Sequence, residues 1–224
     1  EILQEATTMV AKQADVIDLN LGCPVQKAER QGVGAVLLQK PDLVEKLVHA
    51  MRTVTEKPIT AKMRLVKSIP KSVALAKCIE RGGVNAITVH GRTKTQKRKG
   101  MIDFEAVKAI KESVAIPVIN NGGVQNQNSL VEIQEKTGCD GFMLARSAIV
   151  NPGIFAEVQG KQGISKEKAL KRYLELCTEL NFRHFGRIKQ QCLRFGHALN
   201  NKSLSRAMEK VRSSKELEKI TSTF

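Results

Sequence analysis

Asn20, Cys23, Lys62, His90, Arg92 and the pair Gly122–Gly123 are the residues of this chain whose types and placement suit chemistry. Cys23 follows the apolar run Val16–Leu21, sits between Gly22 and Pro24, and comes three residues after Asn20. A free cysteine is most often a small core hydrophobe, yet a thiol before a proline at the mouth of a strand reads equally well as facing a site. Lys62 lies within "AKMR", where alternation places it beside Arg64 on one face and turns Met63 to the other. Lysines are rarely buried without a partner, and one lining a sheet meets an anion or an electron-rich ring. His90 and Arg92 repeat that spacing in "HGR", although His90 alone reads as readily as a structural histidine. Gly122 and Gly123 either form a plain turn or let backbone N–H groups approach a phosphate. The basic run "TKTQKRKG", Thr93–Gly100, follows directly on Arg92. A charge run is usually a solvated face; on the rim of a site it predicts a polyanionic substrate.

These residues need a scaffold that brings distant segments to one edge. Short apolar runs predict strands at Val16–Leu21, Pro58–Leu65, Ala86–His90, Pro117–Asn120 and Gly141–Leu144. Amphipathic patterns predict helices over residues 1–13, Pro41–Thr53, Ser68–Arg81, Asp103–Ser113 and Gln127–Lys136. Alternating strands and helices with nearly apolar strands predict an α/β fold of the (β/α)8 TIM-barrel type, present here as about five βα units. A closed barrel needs eight, and no strand precedes the first helix, so about three units are expected to be missing on the N-terminal side. An open five-stranded sheet is the alternative, with edges that need cover. Parallel sheets present their working groups at the carboxyl ends of strands. In order, those ends carry Asn20 and Cys23, Lys62 and Arg64, His90 and Arg92, "NNGG", and "LARS".

The rhythm stops after "NPGIF" and a linker at Gln159–Gly163. Ser165 then suits an N-cap, and the remainder reads as helices broken near Gly186 and at Asn200–Asn201. One apolar stripe is Leu170, Leu174, Cys177 and Leu180, and another Ile188, Cys192 and Phe195. The expected division is a partial barrel over residues 1–158 and a small all-helical domain over 164–224.

Net charge is +15, from 37 Lys and Arg against 22 Asp and Glu. Residues 165–224 hold 14 basic and 6 acidic residues, or +8; the preceding 164 carry the other +7. A basic tail of this density fits a phosphate backbone, with well-solvated helices as the bland reading. Five cysteines without a CxxC pair predict reduced thiols rather than a disulfide framework or a clustered zinc site. No apolar run approaches the roughly 20 residues of a membrane span.

With these residues assembled, the chain resembles the tRNA-dihydrouridine synthases. The matching marks, in the family's order, are "DLNLGCP", "GVGAVLL", "AKMR", "VHGRTK", "PVINNGG" and "MLARSAIVNPGIF". The match is close from Asp15 to about Phe155 and looser over the helical tail, where the family carries a tRNA-binding bundle. "LNLGCP" and "HGRTKTQK" look most like the eukaryotic branch. The resemblance implies an FMN-dependent oxidoreductase that reduces the C5–C6 double bond of a uridine in tRNA, with NADPH as electron donor. It implies that Cys23 is the acid protonating C5, as an ordinary thiol is mostly protonated at neutral pH. Asn20 would hold the uracil edge, Lys62 the pyrimidine end of the flavin, His90 both rings, and Arg92 the substrate entrance. Asn121, Gly122, Gly123, Ala145 and Arg146 would hold the FMN phosphate, Ala145 standing where many relatives have Gly. The target base would have to leave its stack to be reached. A monomer in the cytoplasm, or the nucleus, is the expected setting. A truncated, non-catalytic tRNA-binding protein is the alternative, and a barrel acting on a small phosphorylated metabolite a third reading.

Overall fold

The computed structural model describes residues 1–97 and 99–221; Arg98 of the basic loop and residues 222–224 of the expected terminal helix lie outside the described residues. Contacts divide the chain into two units: Glu1–Val124 with Ser129–Leu144, and Gln125–Asn128 with Ala145–Phe224.

The first unit holds five strands, β1 (Ile17–Leu21), β2 (Ile59–Leu65), β3 (Ala86–Thr93), β4 (Val118–Asn121) and β5 (Gly141–Met143). All pair in parallel, and their spatial order is their chain order. A doubly wound sheet reverses direction partway and puts helices on both faces. Unbroken order sends each right-handed crossover to the same side, which is the arrangement of a βα barrel. The helices that precede, link and follow the strands are α1 (Ile2–Ala11), α2 (Gln26–Arg30), α3 (Pro41–Arg52), α4 (Ile69–Arg81), α5 (Phe104–Ser113) and α6 (Gln127–Thr137). Of these, α3 packs on α4 and α4 on α5. The segment Gly34–Gln39, between the first strand and the helix expected from Pro41, forms a 3-10 helix.

Burial follows the strand period. Ile17 and Leu21 of β1, Ile59, Ala61, Met63 and Leu65 of β2, Ile87 and Val89 of β3, and Val118 of β4 join one core with Val44, Val48, Leu75, Ile79, Val107 and Ile110 of the helices. Each fully buried Ile, Leu or Met contributes about 1.5–3 kcal/mol of transfer free energy. At the amino ends of the strands Arg52 staples the loops. Its Nη1 donates to the carbonyls of Thr55 and Lys57 at 3.1 Å, and its Nη2 to Asn85 Oδ1 at 2.8 Å. That edge serves stability and leaves the opposite one for chemistry.

The second unit is helical: α7 (Arg146–Val150), α8 (Ile154–Glu157), α9 (Lys166–Glu179), α10 (Phe185–Ala198), α11 (Lys202–Lys210) and α12 (Ser214–Thr221). Its own core comprises Ala169, Leu170, Cys192, Phe195, Leu204, Met208, Val211 and Leu217. Side-chain caps open three helices: Ser165 accepts from the Lys168 N–H, His184 from Arg187 and Asn201 from Leu204. The break expected near Gly186 falls earlier, since α9 ends at Glu179 and Gly186 lies in the first turn of α10. Leu180 is 75% exposed, past the end of α9, so the stripe it was expected to complete stops short. Burial pushes the Cys192 thiol up to about 12. Leu204→Ala is expected to cost about 2–5 kcal/mol, measured as a lower denaturant midpoint, because the side chain is fully buried in this core.

Candidate active site

Parallel strands in one sheet share a carboxyl edge, and Cys23, Arg64, His90, Asn121 and Gly122 all lie at or just past it. Register places the polar side chains on the face opposite the core. Asn20, Lys62 and Thr88 form one row across β1, β2 and β3; Arg64, His90, Asn121 and Met143 form the next across β2 to β5. Neighbours within a row are separated by the interstrand distance of about 4.8 Å, and the two rows by two residues or about 6.6 Å along the strand, so the groups are close although far apart in the chain.

Cys23 is half-buried and outside the apolar core. Two backbone devices fix it. Asn20 Oδ1 accepts from the N–H groups of Gly22 at 2.9 Å and Cys23 at 3.1 Å, so the side chain folds the turn after β1. That commits the Asn20 oxygen to the turn and leaves its NH2 for a ligand. From the other side, the Ala35 N–H donates to the Cys23 carbonyl at 3.0 Å. Gly34 makes this approach feasible: its φ is +69°, and a Cβ there would lie 2.8 Å from the Cys23 carbonyl oxygen. "GVGA" is therefore the buttress of the thiol.

Lys62 is half-buried on the polar face, with no hydrogen-bond partner for its amine among the described residues. Burial, then the neighbouring Arg64 guanidinium, lower its pKa from the ordinary lysine value, with Asp18 opposing. An unpartnered amine in this state awaits an anion or acceptor.

Between Arg64 and Leu65 the register slips: Arg64 pairs with His90 but Leu65 with Thr93, so β3 carries Gly91 and Arg92 as extra residues. The bulge turns Arg92 inward until it is buried. Arg92 Nε donates to the Gly100 carbonyl at 2.9 Å, and Nη1 lies 3.2 Å from His90 Nε2. A guanidinium has only donors, so this bond requires Nε2 to accept and the ring proton to sit on Nδ1. Arg92 thus braces His90 and the basic loop from beneath.

After β4, Gly122 and Gly123 have φ of +118° and +89°, a backbone turn that glycine adopts without a Cβ penalty. Asn120, fully buried, donates from Nδ2 to the Gly122 carbonyl at 2.9 Å, while its Oδ1 has no hydrogen-bond partner among the described residues. Asn121 Nδ2 donates to the Met143 carbonyl at 2.8 Å and ties β4 to β5. Ala145 is the N-cap of α7 and Arg146 its first residue, both in the second unit.

Three supporting residues were not assigned from sequence. Arg64 was placed on the Lys62 face without a role. Asn120 sits where strand alternation demands an apolar residue, and that mismatch is the available signal. Gly34 carries no signal beyond its place in the family mark "GVGAVLL".

A family profile described as dihydrouridine synthase matches residues 1–222. The tRNA-dihydrouridine synthase B of Serratia marcescens is 37% identical over 152 residues, covering 67% of this chain and 46% of that protein. The NAD(P)+-named tRNA-dihydrouridine(20a/20b) synthase-like protein of Mus musculus is 37% identical over 158 residues, covering 69% of this chain and 48% of that one. The chain spans about half the length of these relatives. Among solved structures, a phosphonopyruvate hydrolase has a TM-score of 0.53 at 12% identity, covering 98% of this chain and 87% of that one. A dihydrodipicolinate synthase from Agrobacterium tumefaciens has a TM-score of 0.50 at 12% identity, covering 93% and 73%. At such identities these two speak for the fold alone. The family profile and the identity to curated relatives go further, and by them the chain belongs to the dihydrouridine synthase family.

Proposed function

We propose that the protein to which this chain belongs reduces the C5–C6 double bond of a uridine in tRNA, using FMN and NADPH. The observation that carries the reading is the register that puts Asn20, Lys62 and His90 on one face of a single parallel sheet, with Cys23 in the loop that leaves the carboxyl end of β1. The residues present suit a flavin. Lys62 offers an unpartnered half-buried amine to an electron-rich ring, and the Gly122–Gly123 turn offers N–H groups beside Asn121 to a phosphate. Ala145 and Arg146 keep the phosphate role that the family resemblance implies. FMN, when bound, supplies the reducing electrons, which NADPH replenishes. This chain's residues do the rest. The amide of Asn20 orients the pyrimidine edge, Cys23 Sγ–H delivers a proton to C5, and His90, held by Arg92, lies beside the base and the flavin. Residues 1–158 form the catalytic part in this reading, and 164–224 grip the tRNA through their +8 charge. The expected setting is a monomer in the cytoplasm or nucleus. The full-length protein, given unmodified tRNA and NADPH, is expected to form dihydrouridine; tRNA binding without product would instead favour the non-catalytic alternative.

Lys62→Met is expected to separate stability from function. Burial disfavours the charged amine, so replacing it should raise Tm by about 2–4 °C for each kcal/mol relieved while bound flavin is lost from absorbance near the visible flavin band. The sign of the pH effect follows from the lowered pKa. Between that value and the ordinary lysine value of about 10.4, the unfolded chain holds the proton that the folded chain has released, so stability rises with pH. The variant should lose that part of the rise, checked by thermal melts across the alkaline range.

A further inference from the structure

Arg64 lies next to Lys62 on the polar face, yet it is only 7% exposed. Its Nε donates to the Gly22 carbonyl at 2.8 Å, and its Nη1 donates to the carbonyls of Lys97 at 2.7 Å and Thr93 at 3.3 Å. Gly22 is the residue before Cys23. Thr93 and Lys97 belong to the basic loop, whose Lys97 and Lys99 are exposed. One planar guanidinium therefore spans two loops that have no sequence proximity, using donors whose mutual geometry is fixed.

The described residues of the basic loop are tied at both ends. Gln96 Oε1 accepts from the Thr93 N–H at 2.8 Å, closing the turn on itself, and Arg92 holds Gly100 at its far end. A second tie lies outside: Lys94 Nζ is 2.6 Å from Glu29 Oε1, on the helix that follows Cys23. That exposed pair contributes little by itself. The buried guanidinium is different, since charge-assisted bonds to three carbonyls leave those carbonyls poorly solvated if the fork moves.

We propose that Arg64 is a positioning residue that couples binding of a ribose-phosphate backbone at Lys97 and Lys99 to the position of Cys23. The proposal rests on the functional reading above only in naming RNA as the polyanion. A ligand shifts an equilibrium by its differential affinity for the two arrangements, and the coupling is reciprocal: a loop pulled outward by phosphates draws the Gly22 carbonyl, and fixing the thiol loop strengthens the grip on phosphates.

The test uses full-length protein and oligoadenylate, which has the backbone but no uridine to place over the thiol. Iodoacetamide labelling of Cys23 is followed peptide by peptide, so labelling of Cys177 and the buried cysteines is counted separately. In the wild type, oligoadenylate is expected to change the Cys23 rate about fivefold or more. In Arg64→Lys, which keeps the charge but cannot span the three carbonyls, the change should fall to near unity while oligoadenylate affinity stays within about twofold. Hydrogen exchange in the wild type is the second readout: the amides of Gly22, Cys23 and Ala35 should shift on adding oligoadenylate. An equal rate change in both proteins would mean that RNA covers the thiol directly, and would overturn the proposal. So would no change, or no binding, in the wild type. Neither arm requires turnover, so an active enzyme without coupling sinks this inference alone, and coupling without dihydrouridine sinks only the functional reading.

Discussion

Cys23→Ala is expected to lower single-turnover dihydrouridine formation by about 10²–10⁴-fold, the range for losing a positioned proton donor, with tRNA affinity little changed. The structure says why the loss should be confined to chemistry. The contacts that hold this residue use its N–H, bonded to Asn20, and its carbonyl, bonded to Ala35, and alanine keeps both. The half-buried side chain leaves no core void when shortened. Cys23→Ser should recover little, because a hydroxyl is a much weaker acid than a thiol. Wild-type rates in Cys23→Ala would remove the thiol from the mechanism.

Gly34→Ala should harm both stability and turnover, and Gly32→Ala separates the two causes. Both glycines have φ of +69°, where a β-carbon costs about 1–2 kcal/mol. Around Gly32 nothing lies within 4 Å of the added atom, whereas at Gly34 it would meet the Cys23 carbonyl oxygen at 2.8 Å and Cβ at 3.0 Å. Gly32→Ala is thus expected to lower the denaturant midpoint with catalysis intact. Gly34→Ala should destabilise further and slow turnover by about 10²-fold, since displacing a reacting group by about 1 Å has that effect. Equal rates in the two variants would show that the contact with Cys23 does not position it.

The scaffold was largely legible in the sequence because apolar period and polar breaks carry it. The helix expected over Pro41–Thr53 runs Pro41–Arg52, and that over Ser68–Arg81 runs Ile69–Arg81. The strand expected to stop at His90 continues to Thr93, since a bulge inserts residues without changing composition, and no periodicity announces it. The family resemblance identified the residues of the polar face; their supports stayed hidden. Arg92 reads as an exposed cation in "HGRTK", and its burial depends on Gly100 and His90 offering acceptors that only the folded loop brings near. Arg64 is the same case. A charged side chain satisfied by carbonyls from other segments leaves no pattern in its own.

Along β2, neighbouring residues answer to different demands: Ile59, Ala61 and Met63 face hydrocarbon, whereas Thr60 and Lys62 face the open side. Inherited or engineered changes a single codon apart should therefore fall into unlike classes, one lowering how much protein a cell accumulates and the other leaving normal amounts of an inert protein. Over evolutionary time the open side can trade one specificity for another without endangering the scaffold beneath it.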